Sequence, residues 1–219
     1  MRTTAILQKY LQSPYTSGSL GYKARAKRFQ TLLAHFPDFR EMRVLDIGGD
    51  VRDWKSRLNA RPAHVTILSH ETAMLEDPEP WMTPLHADAC DSKAVPTGFD
   101  LIYSNSVIEH VGGPYRRRQF AENILRAGPH CWIQTPYRYF ILEPHVVFPG
   151  FQFFPLAIQG RIAKRWPLAV PYAYPELEPM GYCLAHDLLS KTELRLLFPL
   201  ADILHERVGG FTKSLVAVR

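Results

Sequence analysis

The stretch Arg43–Asp50, RVLDIGGD, constrains the fold of this chain more than any other. Apolar Val44, Leu45 and Ile47 run with a single acid, Asp46, and stop at Gly48-Gly49, after which charged, helix-like VRDWKSRLNA begins at once. An apolar run ended by glycine and followed by helical sequence reads as a buried strand, a tight turn and a helix, the first half of a βαβ unit. Glycine at the turn lets the backbone take positive φ and approach a ligand with no Cβ in the way. The helix start just beyond offers N–H groups and the positive end of a dipole.

Further strands follow in order. Helix Arg52–Asn59 leads to a turn at Arg61-Pro62, and His64–Leu68 (HVTIL) reads as a second strand, β-branched and apolar. After a loop rich in Pro, Glu and Asp, Leu85–Asp88 reads as a short third strand and Phe99–Ser104 as a fourth, ending in Asn105-Ser106. Tyr115–Ala127 is a helix closed by Gly128-Pro129, and His130–Gln134 is a fifth strand stopped at Thr135-Pro136. Near the other end, Ser190 with Glu193 marks a capping-box start for the helix Ser190–Phe198. Strands near Ala201–Arg207 and Lys213–Val218 meet at Gly209-Gly210, a hairpin signal. This alternation predicts an α/β fold with a mostly parallel sheet and an antiparallel last strand. Ligands in such sheets bind beyond the carboxyl ends of the strands, where the polar strand-end residues gather.

Two segments flank this pattern. Residues 1–40 read as a polar-amphipathic helical cap, interrupted near Ser13-Pro14 and Ser17-Gly18, with Phe29, Leu32, Leu33 and Phe36 at helical spacing. Residues 137–183 are crowded with aromatics and prolines, too apolar for a disordered linker and too rich in proline for one long helix. They read as a folded insertion or lid within a single domain, with a helix near Leu156–Arg165. Length (219 residues), 46% hydrophobic and 21% charged content suit one soluble globular domain with a full core. No apolar run is long enough for a transmembrane helix, and the first residues have no convincing cleavage site, so an integral membrane or secreted protein is not expected. Cys90, Cys131 and Cys183 are odd in number and far apart, with neither metal spacing nor a disulfide framework, which fits a cytoplasmic location. A net charge of +5 is spread along the chain without a nucleic-acid-binding motif, so nucleic acid is not an expected partner.

The order of motifs from VLDIGG through HVTILSHE, HADACD and FDLIYSNSVIEHV to CWIQTPYR resembles the class I S-adenosylmethionine-dependent methyltransferases over about residues 43–136. SKTELRLLFP…FTKSLVAVR is similar to that family's final helix and hairpin. The resemblance implies a Rossmann-like sheet of seven strands and S-adenosyl-L-methionine as cofactor. It implies that Asp46, Gly48 and Gly49 form the loop beneath the methionine part and that Ser69 and Glu71 meet the ribose. It further implies that Asp88 with the backbone of Ala89 holds the adenine, and that Ser104, Asn105 and Ser106 lie near the sulfonium. The chain departs from the family at the loop: DIGGDVR keeps one of three alternate glycines, adds Gly49, and puts Asp50 and Arg52 where the other glycines stand. The ribose acid also comes late, with Ser69-His70 before Glu71. Neither G-x-G-x-x-G nor a phosphate loop is present, which argues against a nicotinamide or nucleotide-phosphate enzyme.

Methyl transfer needs a base only where the acceptor must lose a proton, and the candidates are His145, His110 and Glu109. Each has a plainer reading, in packing or in a helix start. Asp88, Asp91 and Asp100 form no compact ligand group, so no metal site is expected. The fourth strand ends in SNSV rather than an amino-methylating NPPY. The expected reaction is therefore O-methylation of a small molecule or glycan-like metabolite. The alternative is a non-catalytic relative that binds a ligand or a protein through residues 137–183, which also suit a homodimer face or a membrane-surface contact through QGRIAKRW.

Overall fold

The computed structural model describes residues 20–57, 60–143, 145–173 and 177–219. The interruptions expected at Ser13-Pro14 and Ser17-Gly18 lie outside the described residues, as does the expected helix end at Asn59.

In chain order, helix α1 (Leu20–His35) precedes strand β1 (Arg43–Ile47), and the short helix α2 (Val51–Lys55) follows it. Next come β2 (His64–Ser69), β3 (Met82–His86), β4 (Leu101–Asn105), α3 (Pro114–Ala127) and β5 (His130–Pro136). The small strands β6 (Leu142–Glu143) and β7 (Phe148–Pro149) lead to helices α4 (Leu156–Arg165), α5 (Val170–Ala173) and α6 (Pro179–Leu184). Helix α7 (Lys191–Leu197) and strands β8 (Asp202–Val208) and β9 (Phe211–Val218) complete the order. The chain divides into two compact units, Phe36–Tyr137 with Leu189–Arg219, and residues through His35 with Arg138–Leu188.

The first unit holds a seven-stranded sheet in the order β3-β2-β1-β4-β5-β9-β8. Strands β1 to β5 are parallel, and β9 runs antiparallel between β5 and β8. The apolar run of β1 is explained by its place: flanked by β2 and β4, it is buried from Val44 to Ile47, as strands covered on both faces must be. One face of the sheet packs Leu45, Ile102, Ile133 and Leu215 against Phe120 and Ile124 of α3 and Leu194 of α7. An aromatic group sits around buried Trp54, with ring centroids 6.3 Å from Phe39, 6.4 Å from Trp81 and 5.9 Å from Tyr103. The capping box of α7 is formed in both directions, Glu193 N–H to Ser190 Oγ at 3.2 Å and Ser190 N–H to Glu193 Oε2 at 2.7 Å. Gly209 and Gly210 turn the β8–β9 hairpin at φ +57° and +85°, the conformation that a two-residue turn matched to strand twist demands.

One expectation is corrected. The third strand is Met82–His86, not Leu85–Asp88, so Asp88 stands in the loop after it. Pro84 masks the strand in the sequence, because proline cannot give a ladder hydrogen bond. It is tolerated here because β3 is an edge strand, paired only with β2.

In the second unit, β6 and β7 form a two-stranded antiparallel pair. Val146, Phe151, Ala163, Ala169 and Cys183 make its small core, with Phe148, Ile162, Trp166 and Tyr182 packed against it. The expected helix Leu156–Arg165 is present with those bounds, and α6 starts at a cap in which the Glu178 carboxylate accepts the N–H groups of Met180 and Gly181.

Candidate functional site

Parallel register brings the carboxyl ends of β1, β2 and β4 level: Ile47 lies beside Leu68 on one side and Ser104 on the other. The loop after β1 is tied to β2 by Gly48 N–H to Leu68 O at 2.7 Å. Gly48 has φ +74°, and a Cβ there would stand 2.3 Å from Val107 Cγ2. A Cβ at Gly49 would stand 2.0 Å from Asp46 Oδ2. Both glycines are therefore required by space, and Gly48 by conformation as well. Asp46 is buried and accepts the indole N–H of Trp54 at 2.7 Å, so its carboxylate supports the loop from below.

The unusual residues of the loop have a local account. Asp50 caps α2, accepting Arg52 N–H at 2.8 Å, and its carboxylate also takes the Arg52 guanidinium at 2.6 Å. One substituted position thus neutralises the other, and the loop closes on itself without the missing glycines.

Around the rim, Ser69 is buried at the end of β2 and its Oγ accepts Glu71 N–H at 3.1 Å, while Glu71 itself is exposed. Asp88 and Ala89 follow β3. The Asp88 carboxylate accepts Cys90 N–H at 2.9 Å, and its two oxygens share Arg116 Nη2 at 3.0 and 2.8 Å. The hydrogen-bonding Arg116 guanidinium holds the Asp88 carboxyl below its ordinary range. After β4, Ser104 Oγ donates to Ile47 O at 2.9 Å, and the Asn105 amide donates to the Tyr103 hydroxyl. Ser106 has φ +54°, rare for a residue with a side chain, and its Oγ donates to Gln134 Oε1 at 3.0 Å. Strain of this kind at a strand end is a mark of functional loops. The sheet unit therefore gathers all ten residues assigned to the cofactor at the ends of β1 to β4.

The three base candidates differ in burial and in partners. Glu109 is buried and accepts Thr135 Oγ1 at 3.0 Å. His110 is at the surface, with Nε2 3.9 Å from Glu109 Oε1. His145 belongs to the second unit, where its Nδ1 meets the buried Glu143 carboxylate at 2.7 Å. Glu143 is fixed in turn by Val146 N–H at 2.7 Å. His186 stacks obliquely on His145, ring centroids 4.4 Å apart, and its Nδ1 lies 2.6 Å from Tyr182 O. A carbonyl only accepts, so that nitrogen carries the proton. Burial, helped by the neighbouring His145, brings His186 down to about 4. Sequence reasoning named neither Glu143 as a partner of His145 nor His186; a Glu-x-His spacing is the one local signal available. Arg116 was equally hidden, within a basic run that reads as a solvated helix face.

No family model and no curated protein matches the sequence. Solved structures do match. The N-methyltransferase NodS from Bradyrhizobium japonicum WM9, in complex with S-adenosyl-L-homocysteine, superposes with a TM-score of 0.56 at 11% identity, over 100% of this chain and 97% of that one. An S-adenosylmethionine-dependent methyltransferase from Mesorhizobium loti gives 0.57 at 15% identity, over 87% and 96%. The CurJ carbon methyltransferase gives 0.56 at 12%, over 98% of this chain and 57% of that one. The protein thus has the fold of the class I S-adenosylmethionine-dependent methyltransferases, a Rossmann-like sheet whose last strand is antiparallel.

Proposed function

We propose that this protein is an S-adenosylmethionine-dependent methyltransferase that acts at oxygen on a small molecule or glycan-like metabolite. The carrying observation is the Gly48-Gly49 turn at the end of β1, packed so closely on Val107 and Asp46 that neither position admits a Cβ, with Gly48 exposed beside the ends of β2 and β4. The donor set around it fits the cofactor: an exposed carboxylate at Glu71 for a ribose diol, a half-exposed one at Asp88 with the Ala89 backbone for adenine, and oxygens at Ser104–Ser106 for a cation. When bound, S-adenosylmethionine supplies a methyl group on a positively charged sulfur.

The chain's own part is positioning, exclusion of water and proton handling. His145 receives the acceptor's hydroxyl proton. The Glu143 carboxylate at its Nδ1 fixes the tautomer that leaves the lone pair on Nε2 and stabilises the imidazolium that results. Glu109, buried against Thr135, and surface His110 then serve packing and the rim. Three buried free thiols support the cytoplasmic assignment.

Calorimetry with S-adenosylmethionine and S-adenosylhomocysteine tests this reading. Saturable one-to-one binding is expected, weakened about ten-fold or more in Asp88→Ala. No binding by a well-folded sample sinks it in favour of a non-catalytic ligand- or partner-binding protein. Methyl acceptors are then screened with the wild type, and His145→Ala is expected to lower kcat about 10²- to 10⁴-fold, the range for a lost general base, with cofactor affinity unchanged.

A further inference from the structure

Residues 144–175 contain no Asp or Glu, and their Lys and Arg residues are Arg161, Lys164 and Arg165. All three cations lie on α4, are exposed, and form no ion pair with any described residue. Just before them the chain presents large apolar side chains to solvent: Phe153 is 57% exposed, Phe154 39%, Leu156 36% and Ile158 39%. Ile158, Arg161, Ile162 and Arg165 follow a helical i, i+3, i+4, i+7 spacing, and they line a cavity of about 300 Å³ with Phe148 and Trp166. The Trp166 indole nitrogen is buried with no acceptor among the described residues. An apolar recess with two guanidinium groups at its edge describes a site for a chain with an anionic head. The apolar surface beside it is of the kind that soluble monomers cover.

We propose that Phe153–Trp166 docks this protein on an anionic lipid surface. One acyl chain of an anionic phospholipid enters the Phe148–Trp166 cavity, and its phosphate meets Arg161 and Arg165. Phe153, Phe154 and Leu156 enter the headgroup boundary as the apolar side of an interfacial helix does, with the basic side chains above it. A basic residue near an anionic surface adds about five-fold to partitioning. Three of them therefore give on the order of a hundred-fold preference for anionic over neutral lipid, weakening as salt shortens the screening length.

The test is co-sedimentation with vesicles of phosphatidylcholine alone or mixed with phosphatidylglycerol. The wild type is expected to bind the mixed vesicles about a hundred-fold more tightly, and to release on going from 0.1 to 0.5 M salt. The exposed-residue variant Arg161→Glu/Lys164→Glu/Arg165→Glu loses the preference. Phe153→Ser/Phe154→Ser weakens binding to both vesicles, with the circular dichroism of either variant unchanged. Lipid brominated along its chain quenches a fluorescence component that Trp166→Phe removes. Equal binding to both vesicles overturns the proposal, as does binding of dissolved dodecyl phosphate with no vesicle binding. A dimer that the Phe153/Phe154 variant dissociates, in a protein indifferent to vesicles, assigns the patch to a second copy and also overturns it. Cofactor affinity is read on the same samples, so failure here is distinct from failure of the methyltransferase reading.

Discussion

A carboxylate buried beneath a glycine turn leaves little freedom to either. Asp46 is held by Trp54 and fills the space where a Gly49 Cβ would go. Gly49→Ala is therefore expected to destabilise the protein by about 1–3 kcal/mol, the usual range for overpacking, and to abolish S-adenosylhomocysteine binding; urea unfolding and calorimetry read the two effects. Gly48→Ala meets Val107 instead, at a backbone with φ +74°. Adding Val107→Ala should remove the clash but leave the conformational cost, so the double variant is expected to recover only part of the loss. At Asp88 the depressed carboxyl depends on Arg116. In Arg116→Ala its titration, followed by NMR, should move up toward the ordinary carboxylate range. The depressed carboxyl stabilises the fold above the unfolded-state value, and that contribution is lost as pH falls through the lower folded-state value.

Among elements, α6 carries the sharpest dependence on pH. His186 follows it and is brought from 6.5 down to about 4 by burial. The unfolded chain then binds a proton that the folded chain refuses, so stability is full above pH 6.5 and falls as pH drops from there toward 4. The loss is on the order of 3 kcal/mol at pH 4. His186→Phe should flatten the dependence in thermal melts taken at pH 7 and pH 4.5. The elements legible in the sequence were those with a local code. The capping box at Ser190 and Glu193, the Gly209-Gly210 hairpin and the apolar run of β1 each depend on neighbours within a few residues. The third strand was misplaced because Pro84 argues against a strand unless one knows that it lies at an edge. The pairs Asp88 with Arg116, and His145 with His186, each join residues far apart in the chain. Each member sits in unremarkable local sequence, so no spacing announces the partner.

At the scale of the molecule, the two units are distinct in composition as well as in contacts: a sheet of buried aliphatic strands, and an aromatic unit without an acid between Glu143 and Glu176. Cys90 and Cys131 belong to the first and Cys183 to the second; all are buried, and burial pushes each thiol up to about 11. Disulfide-exchange reagents at pH 8 should label none of them in the native protein. Labelling during a urea titration then reports the opening of each unit separately, with Cys183 rising first if the smaller core yields first. No described helix is long and apolar enough to cross a membrane.

The placing of β9 between β5 and β8 has a consequence for how the protein is made. On a ribosome, β5 emerges roughly eighty residues before the strand that will cover its open side, and the aromatic segment passes through the exit tunnel in between. At about 5–20 residues per second the nascent chain spends roughly 4 to 16 s with that strand edge bare. A bare edge invites pairing with other chains. Synthesis in a cell short of chaperones should therefore yield aggregates seeded at His130–Pro136, even though the finished protein presents no such edge there.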